Sequence, residues 1–228
     1  SPSSFSGLAG FILSAGGAVA ARMAVVIDYQ NVHLTASQLY FPGRPIEEAL
    51  IEPFRFAKQL AKARNSDGRH EAEISRVEVY RGLPIVDDDA DAYRRNMEQQ
   101  DRWQSGHAGT VSVTLRPLKY EWEWIDGKKV PIRSGRREKG VDVMCALALV
   151  RLARSGQFDV VVLASRDTDL APALDEANGL GSTKIEAAKW YDPTDRRTFG
   201  SIKTEARIWT TSMKREHFLA SIDPRDYS

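Results

Sequence analysis

Short apolar runs alternate with amphipathic segments along most of this chain. The runs with the length and composition of β-strands are 24–28, 74–80, 110–115, 160–164 and 183–188. The run 160–164 is wholly apolar, which is typical of a strand buried on both faces of a parallel sheet. This pattern predicts a sheet whose central strands are covered on both sides.

Segments with a helical period separate these runs. The segment 141–153 has apolar residues on most of its circumference and predicts a largely buried helix. The other predicted helices are 34–40, 53–63, 90–104, 170–178 and 216–222. Because strands and helices alternate at α/β spacing, we predict one doubly wound α/β domain over 23–228, with a mainly parallel five-stranded sheet.

One excursion interrupts this alternation. Two short runs, 121–125 and 128–132, flank Asp126-Gly127, a dipeptide that favours a tight β-hairpin turn. A basic loop, 134–140, is predicted to follow. Trp122 and Trp124 leave two interpretations open: their rings pack the hairpin onto the core, or they stack against unpaired bases.

The first 22 residues do not fit the pattern. The stretch 8–21 is rich in Ala, Gly and Leu, but it is too short and too glycine-rich for a spanning helix. It has no preceding basic region of the kind that signal peptides carry. We therefore expect residues 1–22 to be a flexible tail or an expression leader, with Met23 as a natural start; a membrane anchor is the minor alternative.

Composition narrows the function classes. The net charge of the 228 residues is +1, so no global field points to a nucleic acid or a membrane. Cys145 is the only cysteine, which excludes an intrachain disulfide and fits a reducing cytoplasm. No Cys/His group has the spacing of zinc ligands. A homo-oligomer is left open.

Carboxylates close several of the predicted elements. Asp28 ends the first strand, Asp167 and Asp169 follow the strand 160–164, and Asp142 lies in the first turn of the helix 141–153. In a parallel sheet the strand ends and the start of a crossover helix share one edge, so these acids are expected to meet. Such a cluster needs protons or a cation, and oxygen ligands favour Mg²⁺ or Mn²⁺. A site of this kind suits phosphodiester hydrolysis.

Each of these residues also has a simpler interpretation. Asp169 can cap the helix that follows it, and Asp167 can be a turn residue. Asp142 can interact with the helix dipole alone. Asn31, three residues after Asp28, can be a turn former.

Three motifs together resemble a known family. They are Asp28-Tyr-Gln-Asn31 after a strand, Lys139-Gly-Val-Asp142 opening a helix, and Ser165-Arg-Asp-Thr-Asp169 after another strand. This order is similar to that of NYN domains, which belong to the PIN-like nuclease superfamily. The resemblance covers about residues 25–189.

The resemblance implies a PIN-like fold and a metal-dependent ribonuclease that uses Mg²⁺ or Mn²⁺. The metal-binding acids that it implies are Asp28, Asp142 and Asp167. Asp169 and Asn31 complete the implied catalytic set, and Ser165 would orient an acid or the substrate. The departures from the family pattern are Tyr29, Gln30 and Arg166. Arg166 is a cation that can bind phosphate or narrow the site.

Local charge favours an RNA partner. The stretch 128–139 carries many cations against Glu138 alone, and it leads directly into Asp142. The predicted substrate-binding residues are Trp122, Trp124, Arg133, Arg136, Arg137, Lys139, Ser165 and Arg166.

Two alternatives to a ribonuclease remain. One is a non-catalytic RNA-binding or regulatory module that retains the acids. The other is a phosphatase of the haloacid dehalogenase class, which also has an aspartate after its first strand. That class needs a second acid two residues further on, where this chain has Gln30.

Overall fold

A parallel sheet forms the middle layer of the computed structural model, which describes residues 20–227 apart from the side chain of Arg133. The strands are Ala21–Asp28 (β1), Ala72–Leu83 (β2), Val111–Pro117 (β3), Lys119–Ile125 (β4), Lys128–Arg137 (β5), Val160–Ala164 (β6), Lys184–Trp190 (β7) and Trp209–Met213 (β8). The helices are Tyr29–Tyr40 (α1), Pro53–Ser66 (α2), Ala90–Ser105 (α3), Val141–Arg154 (α4), Ala171–Gly179 (α5) and Arg215–Ser221 (α6). Short 3₁₀ turns are Ile46–Ala49, Thr168–Leu170 and Arg196–Thr198.

The strand order of the main sheet is β3-β2-β1-β6-β7-β8, and all neighbours in it are parallel. The chain builds outward from β1 in one direction through β2 and β3, and from β6 in the other direction through β7 and β8. The order therefore reverses between β1 and β6. In open α/β sheets the carboxyl ends of the strands at this point form the crevice that binds ligands.

Two apolar layers cover the sheet because successive side chains of a strand point to opposite faces. In β1, Met23, Val25 and Ile27 belong to the core shared with α1, α2 and α6. Ala24 and Val26 belong to the core shared with α4 and α5. No helix within residues 20–227 is long and apolar enough to cross a bilayer.

The predicted α/β class with a mainly parallel sheet is confirmed, but the sheet has six strands rather than five. The missed strand, β8, has the sequence Trp-Thr-Thr-Ser-Met and pairs only with β7, at the edge of the sheet. An edge strand needs no continuous apolar run, so hydrophobic patterning gives little signal for it.

The first strand begins at Ala21, three residues before its predicted start at Ala24. Arg22 is part of the sheet, and both its backbone N–H and its guanidinium donate to the carboxylate of Asp159. Residues 1–19 of the predicted tail lie outside the described part of the chain.

The hairpin is confirmed as an antiparallel pair of β4 and β5, separate from the main sheet. The predicted basic loop 134–140 is wrong in its first half, since β5 continues to Arg137. The pairing shifts register between Lys119 and Glu121, which lets the longer strand β5 stay paired as far as Arg137.

A buried ion pair ties α2 to β7. Arg64 Nε lies 2.8 Å from Glu186 Oε2, and the two side chains are 2% and 0% exposed. Arg69 and Lys184 lie 3.7 and 3.6 Å from Glu186 Oε1. Removing one partner of such a pair leaves a charge without its main compensation in a dry environment.

We expect Arg64→Met to lower the free energy of unfolding by about 3 kcal/mol, because Glu186 stays charged and buried. The double replacement with Glu186→Leu should recover most of this loss. The control is Arg94→Met, whose pair with Asp91 has side chains 74% and 68% exposed, and it should cost less than about 1 kcal/mol. Urea unfolding measures all three, and equal losses for Arg64→Met and the control would contradict the assignment.

Candidate metal site at the junction of two parallel strands

Asp28 is the last residue of β1 and the N-cap of α1. Its Oδ1 accepts the backbone N–H of Asn31 at 3.3 Å, and its Oδ2 accepts the hydroxyl of Ser165 at 2.9 Å. The pairing of Ile27 with Ala164 places Ser165, the next residue after β6, beside Asp28. The parallel register thus fixes the position of this carboxylate, which is only 7% exposed.

Burial raises the pKa of Asp28 above its ordinary value, and the charges of Asp167 and Asp142 raise it further. The hydrogen bonds from Ser165 and Asn31 act in the opposite direction but do not cancel the shift. The charges of Asp167 and Asp142 thus act on Asp28 across space, and the meeting of the three acids in one metal site stays a prediction.

The segment after β6 forms a chain of short-range hydrogen bonds. Ser165 Oγ accepts the N–H of Asp167 at 3.1 Å, and Asp167 Oδ1 accepts the N–H of Asp169 at 3.0 Å. Asp167 is therefore the cap of the turn Thr168–Leu170. The interpretation of Asp169 as a helix cap is wrong, because Leu170 is the N-cap of α5, and Asp169 is exposed.

Asn31 joins the two strand ends a second time. It lies in the first turn of α1, and its Oδ1 accepts the N–H of Arg166 at 3.0 Å. The guanidinium of Arg166 donates to the carbonyl of Arg197, on the segment that follows β7. The side chain of Arg166 thus holds that segment against the strand end.

Asp142 lies in the first turn of α4, as predicted. The turn into this helix needs Gly140, whose φ of 79° lies in the left-handed region. A Cβ there would also lie 3.1 Å from the Nε of Arg116, which donates to the carbonyl of Lys139 at 2.6 Å. The backbone at Lys139 and Gly140 therefore fixes where α4 begins, and with it the position of Asp142 in the first turn.

Glu138 is an acid of the site that the sequence interpretation missed. It is half-buried, and it accepts a hydrogen bond from the N–H of Gly82, after the most buried part of β2. With its amide nitrogen turned towards Glu138, Gln30 donates to the two carboxylate oxygens at 2.8 and 3.2 Å. A Cβ on residue 82 would lie 2.8 Å from Glu138 Oε1, so only glycine leaves room for this approach.

The electrostatics of Glu138 place it with the other acids. Burial, followed by the charge of Asp28, raises its pKa to about 7, and Asp142 contributes in the same direction. The buried thiol of Cys145 has its pKa raised by burial and, to a smaller extent, by Asp28, Glu138, Asp142 and Asp167. Asp28, Glu138, Asp142 and Asp167 therefore all act electrostatically on the same buried thiol. The sequence interpretation missed Glu138 because its neighbours, Arg137 and Lys139, are both cations. A single acid in a basic run just before the helix with Asp142 is the feature that could have indicated it.

The donor set fits a hard divalent cation in its chemistry. All four groups are carboxylates, and at Glu138 the N–H of Gly82 and the charge of Arg81 oppose their repulsion without cancelling it. Among residues 20–227, no three Asp, Glu, His or Cys side chains are placed so that together they could hold a metal ion. Mg²⁺ usually keeps several waters and takes one or two carboxylates directly, so an open cluster of this kind suits it.

The predicted substrate-binding cations lie on the hairpin side of the acids. Arg136 is 3.4 Å from Asp88, and Arg137 is 3.3 Å from Glu121, so both form ion pairs within the chain. Lys139 is exposed. The side chain of Arg133 lies outside the described part of the structure.

The two hairpin tryptophans face solvent. Trp124 is 74% exposed and Trp122 is 41% exposed. The interpretation in which their rings pack the hairpin onto the core is therefore wrong for Trp124 and at most partly right for Trp122.

Comparison with known proteins identifies the family. Residues 22–189 match the NYN domain. The chain belongs to the NYN domain family. The predicted resemblance is thus confirmed, and the chain carries a nuclease-type domain of the PIN-like class. NYN and PIN-like nucleases generally use divalent metals.

Other comparisons add little. No curated protein matches the chain. Among solved structures, a protein of unknown function from Vibrio parahaemolyticus is 15% identical, with a TM-score of 0.49, over 88% of this chain and 98% of its own.

The phosphatase alternative does not fit the geometry. Position 30 holds an amide rather than the required acid, and this amide binds Glu138. It therefore cannot protonate a leaving group two residues after Asp28.

We expect Glu138→Gln to stabilise the metal-free protein, and more so at pH 8 than at pH 5. The folded-state pKa of about 7 lies above the ordinary 4.5. Between these values the folded state holds a proton that the unfolded state releases, so the free energy of unfolding falls as pH rises through this window. Glutamine removes this titration, and the gain at pH 8 should be about 1 kcal/mol after solvent screening.

Thermal unfolding in EDTA at both pH values measures the effect. Glu123→Gln, at an exposed position on the same hairpin, is the control and should show no pH-dependent gain. If Glu138→Gln lost stability at pH 8, Glu138 would not be in the unfavourable environment described.

Proposed function

We propose that this chain is a metal-dependent ribonuclease that hydrolyses RNA phosphodiester bonds with Mg²⁺ or Mn²⁺. The observation that supports the proposal is that, beyond the effect of burial, Asp142 and Asp167 raise the pKa of Asp28 while Asp28 and Asp142 raise that of Glu138, in a chain of the NYN family. Raised pKa values of Asp28 and Glu138 indicate a site whose negative charge needs a cation.

The residues have distinct roles in this proposal. Asp28, Asp142 and Asp167 hold the ion, and Ser165 and Asn31 fix the orientation of Asp28 through their hydrogen bonds. The ion, when bound, supplies an activated water and stabilises charge on the phosphate. Glu138 adds a fourth carboxylate whose charge the same cation compensates.

Two further residues frame the site. Asp169 lies on its exposed side, where it can face incoming solvent or substrate. Arg166 keeps the segment after β7 against the strand ends through the carbonyl of Arg197. In this proposal the guanidinium of Arg166 supplies positive charge beside the strand ends, to which a phosphate group can bind.

A non-catalytic RNA-binding module is the second candidate. One observation favours it: within residues 20–227, no three Asp, Glu, His or Cys side chains are placed to hold an ion together. The two candidates differ in one property. With its acids unmutated and metal supplied, the ribonuclease breaks phosphodiester bonds and the binding module does not.

We expect Asp142→Asn and Asp167→Asn each to lower RNA cleavage by more than about 100-fold. Even the loss of a group that only orients a metal ligand costs about 10- to 100-fold, and these residues are proposed ligands. Cleavage of a labelled RNA in Mn²⁺, with each protein purified identically, measures the change.

The matched control is Asp101→Asn, an exposed aspartate on α3, which should cleave like the parent. Unaltered cleavage by both site variants would show that the activity comes from elsewhere. Binding of RNA by the parent without cleavage in any divalent metal would favour the non-catalytic module.

We expect Mg²⁺ or Mn²⁺ to raise the melting temperature of the parent protein. At a concentration about 100-fold above Kd, binding adds about 2.7 kcal/mol, which corresponds to about 5–10 °C for a domain of this size. Asp142→Asn should lose most of this shift, while Asp101→Asn keeps it. An equal shift in all three proteins would place the ion outside the acid cluster.

A further inference from the structure

The hairpin presents an aromatic face. Side chains alternate along a strand, so Tyr120, Trp122 and Trp124 share one side of β4. The β4–β5 register sets Trp124 opposite Lys129 and Trp122 opposite Pro131. We call these five residues the aromatic face; the other side of β4 carries Glu121, Glu123 and Ile125.

The aromatic face is open to solvent rather than packed. Trp124 is 74% exposed and Trp122 is 41% exposed. Lys129 Nζ lies 5.3 Å from the centroid of the Trp122 ring, close enough for a cation–π contact. Exposed tryptophans beside a lysine are the combination that binds bases and phosphates together.

The base of the hairpin is fixed to the domain. The hydroxyl of Tyr120 donates to Asp88 Oδ2 at 2.9 Å and accepts the N–H of Ile85 at 3.2 Å. The N–H of Leu118 donates to the carbonyl of Leu83 at 2.9 Å. A two-stranded hairpin alone is only marginally stable, so these bonds keep the aromatic face in a constant position.

The aromatic face begins beside the acids. Strand β5 ends at Arg137, and the next residue is Glu138, which contacts Gly82 and Gln30. From Arg137 to Lys129 the strand extends roughly 25 Å, at about 3.3 Å per residue. A chain lying on this face therefore leads to the acid cluster.

The two sides of the hairpin differ in their fitness for a polyanion. The aromatic face offers rings and Lys129, whereas the opposite side carries Glu123, which repels phosphate, and Glu121, whose charge is paired with Arg137. Bases in a duplex are stacked and hidden, so only unpaired bases can reach the rings.

We propose that the aromatic face binds the unpaired bases of single-stranded RNA and directs the strand to the acid cluster. This inference rests on the proposed ribonuclease function for the identity of the ligand. It adds the place on the domain at which an unpaired segment of the RNA binds.

The test measures binding without cleavage. Asp142→Asn in EDTA is titrated against a fluorescent single-stranded 12-nucleotide RNA of mixed sequence and against the same RNA in a duplex. Adding Trp124→Ala or Trp122→Ala should raise the Kd for the single strand about 5- to 100-fold, the range for the loss of one base stack, and change the duplex Kd little. Trp124→Phe should retain most of the affinity, because it keeps a ring. Trp124 is exposed, so its replacement leaves the fold intact, which circular dichroism checks.

Neighbouring residues on the other side of the hairpin are matched controls. Ile125→Ala should leave the Kd unchanged. Lys129→Gln should weaken binding and reduce its salt dependence, whereas Lys128→Gln, the same change on the opposite side, should have a smaller effect.

Equal losses on both sides would overturn the proposal, because they indicate charge without a specific face. An unchanged Kd in the tryptophan variants, tighter binding of the duplex, or no binding of the single strand by the parent would also overturn it and would assign the face to a protein partner. If RNA binding depended on the aromatic face but the wild-type protein did not cleave RNA, this inference would stand and only the proposed ribonuclease function would be contradicted.

Discussion

The pairing of β1 with β6 is the interaction on which the site depends. These strands are neighbours although more than a hundred residues separate them, and their parallel register ends with Ile27 beside Ala164. Asp28 and Ser165 are the next residues on each strand and form a buried hydrogen bond. A shift of one strand by one residue would point its side chain to the other face of the sheet and separate the pair. The apolar runs of the two strands set the register, and the register in turn sets the positions of Asp28 and Ser165, which follow those runs.

The burial of Asp28 at this edge of the sheet lowers the stability of the fold, and apolar burial elsewhere offsets that loss. Burying Asp28 close to Asp142 and Asp167 raises its pKa, which means that the folded state disfavours its charge. The two apolar layers on the faces of the sheet contribute favourable free energy of folding that outweighs this cost. Such a conflict between local charge and global stability is typical of functional sites.

The sequence predicted those parts of the molecule that follow from patterning and topology. The convergence of Asp28, Asp142 and Asp167 needed only the rule that parallel strand ends and crossover helix starts share an edge. Glu138 escaped because its contacts with Gly82 and Gln30 are tertiary, and its sequence neighbours are cations. The assignment of the cap to Asp167 depends on a local hydrogen bond that spacing cannot distinguish from the alternative at Asp169.

The direction of the hydrogen bonds around Asp28 has a further consequence. A carboxylate has about four lone pairs, and the donors Ser165 and Asn31 each occupy one, on different oxygens. Each oxygen of Asp28 thus retains a single free lone pair. A proton on either oxygen removes the negative charge that would attract a cation, so protonation of Asp28 and cation binding oppose each other.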